Sequence, residues 1–217
     1  MKKKLLLGTG LVLVLLLALF GRDLLGLYRL LDFIDTTTQA YEAEGPWPHT
    51  ADACYGCHGK QGTSLHQRYP SLAGQPAEYL KAQLHSFASG QRLNPNMQPL
   101  AMSLTEQEIL KLADYYARQP AQENAAFQPD PVLRKQGAKL ATAGACMACH
   151  GEKLTGQGPF PRLAGQGADY LLVQLDAFAQ GRRVDPTGSM KAITATLSAQ
   201  DRKALAHYLA SLAPAPK

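Results

Sequence analysis

The chain has 217 residues, with 22 Lys and Arg against 17 Asp and Glu for a net charge of +5, and is 46% hydrophobic and 18% charged. That apolar content supports packed cores and excludes a disordered chain. Four cysteines are too sparse for a disulfide-stapled mini-protein. With no triplet repeat, no long heptad run and a single long apolar stretch, collagen, coiled coil and multi-span membrane folds are excluded as well. The charge is unevenly placed: residues 1–49 and 50–126 each balance acids against bases, and the whole excess lies in 127–217. No basic run is interleaved with aromatics, so a nucleic-acid partner is not expected. The excess reads either as a solvated basic face or as a docking face for an acidic protein surface.

At the amino terminus, Lys2-Lys3-Lys4 precede an apolar run from Leu5 to Phe20, the pattern of an export segment. Ala18-Leu19-Phe20 is a poor cleavage site, because Phe20 stands where a leader peptidase wants a small residue. Leu24, Leu25, Leu27, Leu30, Leu31, Phe33 and Ile34 then continue the apolar pattern. A span of roughly 20 apolar residues is reached only if Arg22 snorkels. Two readings follow for residues 1–35: an uncleaved transmembrane anchor, or a signal helix removed on export.

The rest of the chain is an internal repeat. Ala53-Cys54-Tyr55-Gly56-Cys57-His58-Gly59 returns as Ala145-Cys146-Met147-Ala148-Cys149-His150-Gly151. Tyr69-Pro70-Ser71-Leu72-Ala73-Gly74-Gln75 returns as Phe160-Pro161-Arg162-Leu163-Ala164-Gly165-Gln166. Tyr79, Gln83, Phe87, Gly90 and Met97 are matched by Tyr170, Gln174, Phe178, Gly181 and Met190. The proline-bearing stretch from Gln119 to Pro131 lacks apolar periodicity and reads as a linker. The expected division is 1–35 signal or anchor helix, 36–122 first domain, 123–132 linker and 133–217 second domain.

Each copy reads as all-α. Leu80, Leu84, Phe87 and Ala88 share a helical face closed by Gly90. Thr105 to Glu108 and Ser198 to Asp201 are capping boxes, opening helices whose apolar faces are Ile109, Leu112, Ala113 and Tyr116, and Leu205, Tyr208, Leu209 and Leu212.

Every cysteine falls in one of two Cys-x-x-Cys-His pentapeptides, the attachment signature of c-type haem. Cys54 and Cys57, and Cys146 and Cys149, place two sulfurs along one porphyrin edge, where they add to its vinyl groups. His58 and His150 then supply an axial imidazole to each iron. Zinc would bring two Cys-x-x-Cys pairs closer together without a histidine after each, and a thioredoxin-type pair would need a βαβ setting. Two covalent haems are the expected cofactors. Met97 and Met190, in proline-broken loops at nearly the same separation from the preceding histidine, are the candidate sixth ligands. Met102 competes in the first copy, but its counterpart is Ala195; His66 and His85 lack histidine counterparts, and His49 and His207 read as surface or core residues.

Together these motifs resemble the di-haem cytochromes of the cytochrome c4 family, over about residues 45–213. The resemblance implies two tandem class I cytochrome c domains with haems close enough to exchange electrons. It also implies that the carbonyls of Pro70 and Pro161 orient the proximal histidines. One departure is Gly45-Pro46-Trp47-Pro48, which cannot continue a helix, so the first copy's N-terminal helix is expected to be shortened or displaced relative to Pro131–Ala143.

With both irons closed by His and Met, the expected activity is one-electron transfer rather than catalysis. The donor would be a quinol-oxidising cytochrome complex or a dehydrogenase, the acceptor a terminal oxidase, and the location the periplasmic side of the bacterial inner membrane. A fixed electron-acceptor subunit of an exported dehydrogenase is the alternative. A di-haem peroxidase would need an open coordination position, against which a methionine in both copies argues.

Overall fold

The computed structural model describes residues 2–44 and 49–214, with side chains for 14–39 and 49–214. The chain divides into two compact units, residues 1–49 and the remainder from Thr50.

The first unit is one continuous helix, α1 (Lys2–Glu44). Among the described residues, no helix is long and apolar enough to cross a membrane, so the anchor expected over residues 1–35 finds no support there. Arg22, Asp23, Arg29, Asp32 and Asp35 end the apolar run of the described side chains soon after Val14–Phe20, while the helix itself continues. The side chains of residues 5–13, on which much of that expectation rested, lie outside those described, as does the Gly45–Pro48 segment.

The second unit holds both repeats. The first contains α2 (Asp52–His58), a short turn of 3-10 helix (Lys60–Gly62), α3 (Ala77–Ala88), α4 (Met97–Met102) and α5 (Glu106–Arg118). The second contains α6 (Pro131–Ala143), α7 (Cys146–His150), α8 (Ala168–Ala179), α9 (Ser189–Ala195) and α10 (Ala199–Ala210). Sequence chemistry sets the ends. Thr105 and Glu108 form the reciprocal capping box of α5, and Ser198 and Asp201 that of α10. Asp130 accepts from the N–H groups of Val132 and Leu133 at 2.8 and 3.0 Å, with Pro131 in the first turn of α6.

Each repeat has its own core. Leu80, Leu112, Ala113 and Tyr116 close the first, with Cys54 and Leu84 packed against them. Leu154, Leu171, Leu175, Leu205 and Leu209 close the second, with Cys146, Met190 and Tyr208 alongside. In the second repeat α6 crosses α10 so closely that a Cβ on Gly137 would lie 2.1 Å from the Ala204 carbonyl oxygen, so only glycine allows the crossing. The first repeat has no matching helix among the described residues of its unit: His49 to Ala51 lead directly into α2.

The cores also differ in one matched pair. The carbonyl of Gly62 accepts from Leu72 and Ala73, and that of Leu154 accepts from Leu163 and Ala164, so these two residues are equivalent. Both have positive φ, 78° and 57°. Gly62 faces the ring of Tyr116, whereas Leu154 is buried beside Leu209, which takes the place of Tyr116. Volume removed at one position is restored at its neighbour.

Residues 119–130 contain no helix, in keeping with a connector, but this segment is not loose. Asn124 and Gln67 exchange amide hydrogen bonds at 2.8 and 2.9 Å, and Gln67 also accepts from the N–H of Ala168 at 2.9 Å. The connector is thereby tied to both repeats.

Candidate haem sites

In each repeat both cysteines and the histidine lie on one short helix, α2 or α7. A helical turn brings residues three apart to the same side, so Cys54 and Cys57, and Cys146 and Cys149, present their sulfurs along one edge. Cys54, Cys146 and Cys149 are half-buried and Cys57 is exposed. Burial pushes the Cys54 and Cys146 thiols up, so these pockets favour neutral sulfur.

His58 and His150 are buried. The Nδ1 of His58 lies 2.8 Å from the Pro70 carbonyl oxygen, and that of His150 lies 2.8 Å from the Pro161 carbonyl oxygen. A carbonyl only accepts, so each Nδ1 carries the proton and each Nε2 is left as a lone-pair donor. Burial lowers both imidazoles below the ordinary histidine value, against the smaller upward pull of the proline carbonyl, and this keeps them neutral. A neutral ring with its second nitrogen fixed is what iron ligation requires.

Met97 and Met190 stand in the first turns of α4 and α9, which pack on α3 and α8, rather than in loops as expected. The Oδ1 of Asn94 accepts from the N–H groups of Asn96 and Met97 at 3.0 and 2.9 Å. Asp185, its counterpart, accepts from Ser189 and Met190 at 3.1 Å each, and from the Thr187 hydroxyl at 2.6 Å. An Asx turn thus converts the proline loop into a helix start and fixes the backbone of each methionine. Both side chains are half-buried, and Met190 packs on the second core. The rejected histidines are engaged elsewhere: His85 pairs with Glu106 at 3.2 Å, and the His207 Nδ1 accepts from the Asp130 N–H at 3.1 Å. The residues fit haem c: thiols on one helical edge, a tethered neutral imidazole and a positioned thioether, in duplicate.

A family model described as Cytochrome c matches residues 48–117 and 135–213. Cytochrome c4 of Thiocapsa roseopersicina is 43% identical over 171 residues, covering 73% of this chain and 86% of that one. The chain belongs to the cytochrome c4 family. The crystal structure of reduced recombinant cytochrome c4 from Pseudomonas stutzeri superposes with a TM-score of 0.70 at 32% identity, over 75% of this chain and 94% of that chain. A protein named thiosulfate dehydrogenase electron acceptor, from Stutzerimonas stutzeri (strain A1501), is 38% identical over 191 residues, 80% of this chain and 88% of its own. As a cytochrome c4 the protein is an all-α electron carrier with two covalent haem c groups, and members of the family are typically periplasmic.

The two halves of this cytochrome c4 meet through reciprocal hydrogen bonds that sequence reasoning missed. Gln75 donates to the Arg162 carbonyl at 3.0 Å and accepts from the Arg162 N–H at 2.9 Å. Gln166, its repeat equivalent, donates to the Ser71 carbonyl at 2.9 Å and accepts from the Ser71 N–H at 2.7 Å. The pattern recurs between α3 and α8. Arg92 donates to Gln83, Gln174 and Tyr170, while Arg183 donates to Gln174, Gln83 and Tyr79, all at 2.7–3.1 Å. Arg92 and Arg183 also lie 4.6 Å above the rings of Phe87 and Phe178. Residue by residue, each half does to the other what the other does to it, which is the signature of an isologous contact. The available signal was that Tyr79, Gln83 and Arg92 recur at equivalent places, although nothing in either copy alone calls for polar residues there.

Proposed function

We propose that the protein relays single electrons between exported respiratory partners through two six-coordinate haems in series. In this reading Cys54 and Cys57 would hold one group and Cys146 and Cys149 the other; His58 and Met97, and His150 and Met190, would supply the iron ligands, with Pro70 and Pro161 orienting the imidazoles. Bound haem supplies a reversible one-electron couple, which thioether ligation biases toward the ferrous form. The chain's own part is to hold each Nε2 free and each thioether in place, and to keep water from the buried histidine side.

The observation that carries this reading is the duplication of both ligand supports: a carbonyl behind each histidine and an Asx turn behind each methionine. A site built to bind substrate would leave one of these supports out. The proposed domains are 36–122 and 133–217, joined by 123–132 and preceded by 1–35. We place the protein on the periplasmic side, with a quinol-oxidising complex or dehydrogenase as donor and a terminal oxidase as acceptor. The neutral first repeat and the basic second repeat would meet different partners. The test is reoxidation of reduced protein by oxidase-containing membranes at several ionic strengths. Salt-sensitive reoxidation is expected; failure to reoxidise with any such membrane would overturn the relay.

The relative named as a thiosulfate dehydrogenase electron acceptor favours a second reading, a dedicated acceptor for one exported dehydrogenase. Stoichiometric co-purification with a larger catalytic chain, and loss of that chain's turnover without this one, would select it.

A further inference from the structure

In the second repeat the helix that carries the cysteines and histidine is led in by α6; in the first, no such helix precedes α2 among the described residues of its unit. Ala143, the last residue of α6, and Ala51, which precedes α2, are equivalents, each three residues ahead of its first cysteine. Ala143 belongs to a helix packed across α10, where Gly137 meets Ala204. Ala51 is tied to α5, the equivalent of α10, by one side chain: the buried Tyr116 hydroxyl donates to the Ala51 carbonyl at 3.2 Å. That carbonyl also accepts from the Cys54 N–H at 3.0 Å, at the start of α2. A second tie runs between the same two helices, because the hydroxyl oxygens of Tyr55 and Tyr115 lie 3.0 Å apart and share a hydrogen bond.

Packing alone does not account for these tyrosines. The counterpart of Tyr116 is Leu209 and that of Tyr55 is Met147, so the second repeat fills both places with side chains that can make neither bond. Tyr115 keeps a tyrosine counterpart, Tyr208, but Met147 offers it no phenol. A buried hydroxyl needs a partner, and the Tyr116 ring further requires glycine at position 62, where the other repeat has Leu154. Tyr55, Gly62 and Tyr116 therefore differ together from the second repeat, in the repeat whose Cys-x-x-Cys-His helix lacks a packed lead-in.

We propose that Tyr116, with the Tyr55 and Tyr115 pair, is a positioning residue for the first haem site, its hydroxyl pinning α2 to α5 in the place of a packed N-terminal helix. Cys54, Cys57 and His58 all ride on α2, so its placement sets how firmly the His58 Nδ1 stays on the Pro70 carbonyl. That hydrogen bond raises the basicity of the imidazole, which favours ferric over ferrous iron. A loosened α2 weakens it and shifts the balance toward the reduced form. The second site, led in by α6, does not depend on these hydroxyls.

The inference rests on the two-haem reading, and the experiment separates the two. In the intact, haem-loaded protein, Tyr116→Phe, Tyr55→Phe and Tyr208→Phe are compared with the parent by potentiometric titration and amide hydrogen exchange, with haem content measured on the same samples. In Y116F one midpoint potential is expected to rise while the other stays. The α2 amides should exchange roughly fivefold faster, as expected for one lost buried hydrogen bond. Y55F should show the same pattern more weakly and Y208F neither effect; if Y116F does not fold, Y55F carries the expectation. The double variant Gly62→Leu/Tyr116→Leu restores packed volume without the hydroxyl, and it should keep the shifted potential. A return to the parent's potentials in that variant would overturn positioning by the hydroxyl. So would unchanged potentials in Y116F and Y55F, or faster exchange spread evenly over both repeats. A parent protein with fewer than two haems overturns the two-haem reading instead.

Discussion

Gly62 lies so close to the ring of Tyr116 that a Cβ placed on it would meet Cδ1 at 2.7 Å and Cε1 at 2.9 Å. Gly62→Ala therefore combines overpacking with a left-handed backbone and is expected to destabilise the protein by about 1–3 kcal/mol. The double variant Gly62→Leu/Tyr116→Leu copies the Leu154 and Leu209 arrangement of the other half. It should recover part of what Gly62→Leu alone loses, and urea denaturation monitored at the haem absorbance checks both.

Gln75 is buried and satisfies both backbone groups of Arg162 across the interface. Gln75→Ala leaves a buried N–H and a buried C=O unpaired, at about 1–3 kcal/mol for each such group. Because the lost bonds join the halves, unfolding should separate into two steps. Calorimetry that still showed one cooperative transition would count against this.

Asn94 fixes the backbone of Met97 but touches nothing in the second repeat among its hydrogen bonds. Asn94→Ala is expected to weaken the start of α4 by about 1 kcal/mol and to loosen one thioether of two. Added imidazole should then bind the oxidised protein faster at a single site, with half the total spectral change. Asp185→Ala should do the same at the other site.

Three carboxylates, Glu108, Asp130 and Asp201, cap helices and are held below their ordinary values by those hydrogen bonds. A depressed folded-state pKa means that the capping contribution is complete above the unfolded value, ~4, and is lost as pH falls through the lower folded values. Stability should therefore drop below about pH 4, and Glu108→Gln with Asp130→Asn and Asp201→Asn should flatten that slope. An unchanged slope in the triple variant would show that the caps do not set the acid limb.

What the sequence disclosed tracks how local each constraint is. The cysteine and histidine spacing is imposed by one helical turn against one porphyrin edge, so it is legible in five residues. The apolar faces of α5 and α10 are equally plain, because they follow the helical period. Met97 and Met190 stood out in the sequence, but their setting was misread: proline suggested a loop, and the side chains of Asn94 and Asp185 turn that loop into a helix start. The leucine density of α1 suggested a span; of that run only the side chains from Val14 onward are described, and Arg22 and Asp23 follow it closely. Least visible were Arg92, Arg183 and Arg162, since a polar residue that finds its partner in the other half has no period or motif in its own.

The reciprocal glutamine and arginine contacts have a consequence for ancestry. An interface in which equivalent residues trade equivalent bonds is the kind that two separate copies of a single-haem protein make when they pair. Joining those copies end to end would preserve the pairing while freeing each position to diverge alone. Ser71 and Arg162 are then what symmetry could never have allowed before the fusion: one side of a contact altered while the other stayed as it was.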